Sequence, residues 1–305
     1  MTDPRHLTSP GRRTLAIASV VLVVGLLATL AAVALAQAPD GEPVRPAGGF
    51  SGPTAQSSAT VWAVGDAAAP TEGAKEVARL VNAEPLDRFL YLGDVYEDGS
   101  REEFERHYAP LYGDIMDRTL PTPGNHDARS FDEGYVPFWR QVSDGPVPTH
   151  YAERVAGWKI VSVNSEEGVD ADDSQVRWLK EQMAGKGTCR LAFWHAPRYS
   201  AGKHGDSDGV EALWSAVEGR ATLVLNAHDH NMQRMRPRAG TMELIAGSGG
   251  NEIYPVRGDD PGLAWGDDRH YGALRLRLAP GRADWAFVSV AGEELDSGTV
   301  RCDSE

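Results

Sequence analysis

Short apolar runs closed by glycine or a polar residue recur along the chain. Val61-Trp62-Ala63-Val64 ends at Gly65-Asp66, and Phe89-Leu90-Tyr91-Leu92 ends at Gly93-Asp94. Leu191-Ala192-Phe193-Trp194 ends at His195, and Thr222-Leu223-Val224-Leu225 leads into Asn226-Ala227-His228. Runs of this length with such ends predict buried strands. Between them, helices are expected around 74–82, 101–112, 173–184 and 209–218. In the third, Val176, Leu179 and Met183 recur at spacings of three and four, which gives one apolar face. Later the pattern changes: 241–246, 272–278 and 284–290 read as strands with no helix between them. Together these predict an α/β domain of two packed sheets with flanking helices.

The first residues follow another pattern. Arg5, Arg12 and Arg13 precede an uncharged stretch from Leu15 to Ala36 dominated by Ala, Leu, Val and Ile. Ala34-Leu35-Ala36 fits the small-x-small pattern of a signal-peptidase site. Gly11-Arg12-Arg13-Thr14-Leu15 loosely fits a twin-arginine signal. Residues 1–36 therefore read as an export signal, and the rival reading is an uncleaved anchor. A helix over residues 15–36 would span roughly 33 Å, enough for a bilayer. On either reading the folded part is secreted or otherwise extracytoplasmic, with a membrane tether as the second option. Residues 37–59, rich in Pro, Gly, Ala and Ser, read as a flexible linker. Residues 60–305 read as one domain.

Composition narrows the classes. The chain has 305 residues, 44 acidic and 30 basic, for a formal charge of −14. Its leader holds three arginines and a single aspartate, so the remainder is more acidic still. The 41% hydrophobic content excludes wholesale disorder. The acidity argues against a general binder of nucleic acid or anionic membrane, so no nucleic acid is expected as a stable partner. Two cysteines exclude a disulfide-dense scaffold and a four-cysteine zinc site. In an exported chain, Cys189 and Cys302 are expected to form a disulfide that clamps the C-terminal tail, with two free thiols as the alternative.

The chemistry-bearing residues fall at the C-terminal ends of the predicted strands, the edge where open α/β sheets bind ligands. Asp66 and Asp94 each follow a glycine, which alone would be an ordinary turn. Pro123-Gly124-Asn125-His126-Asp127 sets an amide oxygen beside an imidazole on a tight turn. His195 closes a strand. His228 and His230 are two residues apart, a spacing that points both rings the same way in an extended segment, and a good metal signal on a loop.

In this order the five clusters resemble the calcineurin-like metallophosphoesterase superfamily, and within it the purple acid phosphatases and their small bacterial relatives. The resemblance implies a four-layer αββα sandwich of two mixed sheets flanked by helices, with two metal ions on the strand-end loops. By that resemblance Asp94 would bridge the ions, Asp66 and His230 would bind the first, and Asn125, His195 and His228 the second. Mixed nitrogen and oxygen donors suit iron paired with iron, zinc or manganese. The chain departs from the family at Ala68, where many members carry a histidine. The phosphatases instead place a tyrosine three residues after the bridging aspartate. Here that position is Glu97 and the tyrosine is Tyr96, so Tyr96 is favoured as the remaining ligand, with Glu97 or water as the rival. Ala227 replaces the usual glycine before His-x-His.

The implied activity is hydrolysis of phosphate monoesters on a small phosphorylated substrate, by a hydroxide generated between the two metals. The resemblance makes His126 the proton donor, Asp127 its orienter, and His204 a second acid or phosphate contact. Arg198 is a further candidate for phosphate. The alternatives are a phosphodiesterase acting on nucleotides or lipid head groups, and, from another class, a non-catalytic phosphate- or metal-binding module.

Overall fold

The structure, a computed structural model, describes residues 49–50, 57–185 and 189–302. The export-signal and anchor readings fall on residues outside these. Among the described residues no helix is long and apolar enough to cross a membrane.

The strands in chain order are β1 (Ala59–Val64), β2 (Arg88–Tyr91), β3 (Thr119–Pro121), β4 (Tyr151–Val155), β5 (Trp158–Ser162) and β6 (Cys189–Phe193). Then come β7 (Leu223–Asn226), β8 (Met232–Met235), β9 (Met242–Ala246), β10 (Leu263–Asp267), β11 (Gly272–Ala279), β12 (Arg282–Ser289) and β13 (Glu294–Arg301). They build one sheet of order β13-β12-β11-β1-β2-β3 and a second of order β10-β8-β9-β7-β6-β5-β4. Both are mixed. The β1-β2-β3 and β5-β6-β7-β9 neighbours run parallel, while β11, β12 and β13 form an antiparallel meander.

The apolar runs are continuous because both faces of these strands are covered. Successive side chains point to opposite faces. Leu191, Phe193, Leu223 and Leu225 enter the main core together with β1, β2 and β11 residues of the other sheet. Their neighbours Ala192, Trp194 and Val224 enter a second core with Val176, Leu179, Leu213 and Trp214 of two helices. Three helices matter here: α1 (Glu72–Val81), α2 (Ser174–Gln182) and α3 (Glu211–Val217). The α1 helix starts where the Thr71 hydroxyl accepts from the Ala74 amide at 3.1 Å. A further helical segment, 101–118, runs beside β2. The expected two-sheet, helix-flanked sandwich is therefore what forms.

Several strands are absent from the sequence reading, for physical reasons. β3 has only three residues. β4 and β13 are edge strands with exposed positions, and in β13 only Leu295 and Val300 are apolar side chains. Phe50, inside the stretch read as linker, is buried between Trp139 and Tyr151. Cys189 opens β6 in one sheet and Cys302 follows β13 in the other, and they are bonded. The expected disulfide therefore staples sheet to sheet.

Candidate metal centre

Six of the seven predicted ligands lie just past strand ends on one edge of the sandwich. Asp66 follows β1, Asp94 and Tyr96 follow β2, and Asn125 follows β3; His195 follows β6 and His228 follows β7. His230 lies between β7 and β8. One sheet supplies four of these residues and the other supplies three, so the cluster straddles the seam. Two hydrogen bonds close that seam: the Gly65 amide donates to the Ala246 carbonyl at 2.9 Å, and the His195 ring donates to the Leu92 carbonyl at 2.8 Å.

The backbone here is unusual. Asp66, Asp94 and His228 have positive φ (56°, 70° and 70°). Non-glycine residues rarely adopt this conformation, and such positions cluster at functional sites. Two glycines make room. A Cβ on Gly124 would fall 2.1 Å from Asp94 Oδ1, and one on Gly93, at φ 97°, would fall 2.9 Å from His195 Nδ1. The extra methyl of Ala227 fits for a related reason: it fills the space beside Gly65, where a second Cβ would come within 2.3 Å of it.

The predicted ligands converge. His195 Nε2 is 3.1 Å from Asn125 Oδ1, 3.2 Å from His228 Nδ1 and 3.3 Å from Asp94 Oδ2. The Tyr96 hydroxyl is 2.7 Å from Asp66 Oδ1, 2.9 Å from His230 Nε2 and 3.4 Å from Asp94 Oδ2. His230 Nε2 is 3.4 Å from Asp66 Oδ1. Donor atoms of Asp66, Asp94 and His195 lie within 4.8 Å of one another, and all three residues are buried.

The donor set fits cations. His195 and His230 each aim Nδ1 at a backbone carbonyl, of Leu92 and of Glu252 (2.7 Å). A carbonyl only accepts, so Nδ1 carries a hydrogen and Nε2 is the nitrogen that faces the cluster, the orientation of histidines that bind metal through Nε2. Asp66 and Asp94 are 0% and 1% exposed, and among the described residues their ion-pair partners are histidines alone. Burial raises the Asp66 carboxyl, but His230 and His195 outweigh it and hold it well below its usual value. Burial lowers His195, yet Asp94 and Asp66 hold it well above an ordinary imidazole. Burial, together with the positive charge of His195 and His204, pushes His228 down to about 3.

Other residues are placed differently from expectation. Asp127 does not orient His126. It is fully buried, and its oxygens accept from the amides of Asp94 (2.8 Å), Gly124 (2.9 Å) and Val95 (3.0 Å). It holds the loop that carries Asp94. Burial and then the Asp94 charge push its carboxyl up to about 7, against the pull of those amides. His126 is oriented instead by the Glu97 carbonyl at Nδ1, with Nε2 3.9 Å from Asp94 Oδ2. The Glu97 side chain is 77% exposed, so Tyr96, not Glu97, enters the pocket. His204 is exposed and its ring lies over His228, with centroids 4.2 Å apart. Arg198 pairs with Glu211 (2.6 Å) and Asp208 (3.1 Å), which makes it a tie to α3.

Two parts of the site are missing from the sequence reading. Asp229, between the paired histidines, is buried and accepts from the His204 amide (2.9 Å) and the Ser200 hydroxyl. It anchors the loop after His195. The segment after β9 closes the opposite side. The Glu252 carbonyl fixes His230, and Tyr254 stacks on that ring at 4.0 Å and 12°. Lys203 lies 3.9 Å above Tyr254. The signal for this segment was Gly247-Ser248-Gly249-Gly250-Asn251, a glycine-rich run at another strand end.

Residues 59–232 match the model of the calcineurin-like phosphoesterase family. That is just over half of the chain, and the chain belongs to this family, whose members use a dinuclear metal centre. No curated protein sequence matches it. Among solved structures it is similar to the purple acid phosphatase PPD1 of yellow lupin (TM-score 0.69, 14% identity over 81% of this chain). The match spans only about half, 54%, of the lupin protein. It is also similar to GAP50, the anchor in the inner membrane complex of Plasmodium (TM-score 0.66, 16% identity, 82% of this chain and 90% of the other). A dimetal phosphatase of Danio rerio is a third (TM-score 0.52, 11% identity, 80% and 98%). At these identities the likeness is one of fold.

Proposed function

We propose that the chain is an exported, metal-dependent hydrolase of phosphate monoesters. The single observation that carries the reading is the convergence of three donors within 3.3 Å of His195 Nε2. Beside it lies a second group of donors around the Tyr96 hydroxyl. In this reading Asp66, Tyr96 and His230 would hold one ion, Asn125, His195 and His228 would hold the other, and Asp94 would be shared between them. Bound there, two ions would supply a hydroxide nucleophile at neutral pH and offset the charge that develops on the phosphoryl oxygens.

The remaining work falls to the protein. His126, with Nδ1–H fixed on the Glu97 carbonyl, turns Nε2 toward the pocket beside Asp94 and gives a proton to the leaving oxygen. His204, held by Asp229, stands at the mouth where it can contact the phosphate. Asp127 keeps the Asp94 loop from relaxing. Export is supported by the leader and by the disulfide, a bond characteristic of oxidising compartments.

A non-catalytic role has one observation in its favour, the likeness to a protein described as an anchor. The full complement of donor residues weighs against it. The test is turnover of p-nitrophenyl phosphate and bis-p-nitrophenyl phosphate by the metal-loaded protein. Preference for the monoester supports the reading, preference for the diester selects a phosphodiesterase, and inertness to both revives the binding module.

A further inference from the structure

Only one residue separates Tyr96 from Asp94, yet its phenol reaches Asp66 and His230 on the far side of the pocket. The chain that follows is turned back on itself through Glu97-Asp98-Gly99-Ser100, and the exposed amides of this turn share one partner. Glu103 Oε1 accepts from the Glu97 amide at 2.6 Å. Its Oε2 accepts from the amides of Asp98 (3.1 Å) and Ser100 (2.9 Å) and from the Ser100 hydroxyl (2.8 Å).

Ser100 and Glu103 form a capping box at the start of the 101–118 helical segment. In a capping box the glutamate needs to take only the N-cap amide. Here the same carboxylate gathers two more amides from the preceding turn. The carbonyls of the turn are held as well. His107 Nδ1 donates to the Tyr96 carbonyl at 2.7 Å, and Arg129 donates to the Glu97 carbonyl at 3.1 Å. His107 comes from one turn further along the same helical segment, so a single element grips the turn at both ends of its polar backbone.

We propose that Glu103 and His107 are positioning residues that clamp the 96–100 turn so that the Tyr96 phenol completes the first-ion pocket from the second position after Asp94. The inference rests on the two-ion reading above. Neither residue touches a candidate ligand side chain, so each acts through the backbone it holds. A merely structural capping role would leave both ion sites as they are.

The test is made on the full metal-free chain. Zn²⁺ is titrated calorimetrically, and the visible absorption of the iron-loaded protein is recorded in parallel. Wild type is expected to bind two ions and, with ferric iron, to show a tyrosinate-to-iron band. Glu103→Gln removes an acceptor oxygen and the charge, and His107→Ala removes the donor. Each should weaken one ion by about tenfold to a hundredfold, the range for groups that orient ligands from behind. Each should leave the other ion within about threefold by the same comparison and shift or weaken the band. His107→Asn, which keeps a donor near the Nδ1 position, should restore both readouts.

Two ions bound at wild-type affinity with an unchanged band in both Glu103→Gln and His107→Ala would overturn the clamp. If Glu103→Gln fails to fold, the His107 pair decides alone: equal behaviour of Ala and Asn overturns the proposal, and rescue by Asn supports it. A wild type that binds fewer than two ions contradicts the site itself, an outcome distinct from failure of the clamp.

Discussion

The two ends of this sandwich use their polar residues in opposite ways. At the far edge, β11, β12 and β13 turn back on each other through short glycine-containing turns, and outward-facing charges pair across their surface. Arg282 meets Asp284 at 2.7 Å, with side chains 44% and 42% exposed. At the strand-end edge, two aspartates and His195 are fully buried, and three residues hold positive φ. Exposed pairs of the first kind contribute little to stability because water and salt screen them. Buried carboxylates on a constrained backbone cost stability unless something positive meets them. The contrast separates a surface arranged for solubility from an edge arranged to receive cations.

Substitution at the two edges should separate them most sharply. Asp94→Asn is expected to cut turnover about a thousandfold, equivalent to about 4 kcal/mol of barrier. Arg282→Ala at the far edge should leave both turnover and the melting temperature essentially unchanged. Steady-state kinetics and thermal melts check both, and normal turnover in Asp94→Asn would erase the distinction.

Next in size is the staple between the sheets. Paired Cys189→Ser and Cys302→Ser substitutions should cost about 2–4 kcal/mol, read as a lower urea midpoint, with turnover of the folded protein retained. A large loss of turnover without loss of stability would tie the far edge to the site after all.

Loss of either ion should then destabilise the chain by about 2.7 kcal/mol relative to protein held at a hundredfold excess over that ion's Kd. Hydrogen exchange should rise first at Asp66, Asp94 and His228 and stay unchanged in β12 and β13. Uniform exchange changes would contradict a local cation site.

A pH-dependent effect concerns Glu243 in β9, buried and bonded to the amides of Arg198 (2.9 Å) and Tyr199. Burial, against those amides, pushes its carboxyl up to about 8 from 4.5. The folded chain therefore keeps a proton that the unfolded chain releases between these values. That contribution is complete below pH 4.5 and fades as pH rises toward 8. Glu243→Gln should flatten the melting temperature over this window. An unchanged slope would show that the carboxyl does not titrate there.

The same contrast explains what the sequence made legible. The parallel strands β1, β2, β6 and β7 were readable because burial on both faces writes an unbroken apolar run, and the Gly-Asp and His-x-His pairs that close them, with Asn-His on the turn after β3, stood out by chemistry and position. Edge strands such as β13 were not, since a strand buried on one face with polar and charged residues has no such run. Within the site, the donor residues that the structure gathers were readable from residue types, but Asp127 was misassigned. Adjacency to His126 suggested an orienter, whereas a buried carboxylate beside three free amides is taken by the backbone first. Tyr254 and Asp229 were invisible because their roles arise from contacts between loops distant in the sequence.

The most direct test is anomalous diffraction from crystals of the full chain soaked with a single transition metal. The account predicts two peaks: one among Asp66, Tyr96, Asp94 and His230, the other among Asp94, Asn125, His195 and His228. A single peak, or ions bound only elsewhere on the acidic surface, would contradict it.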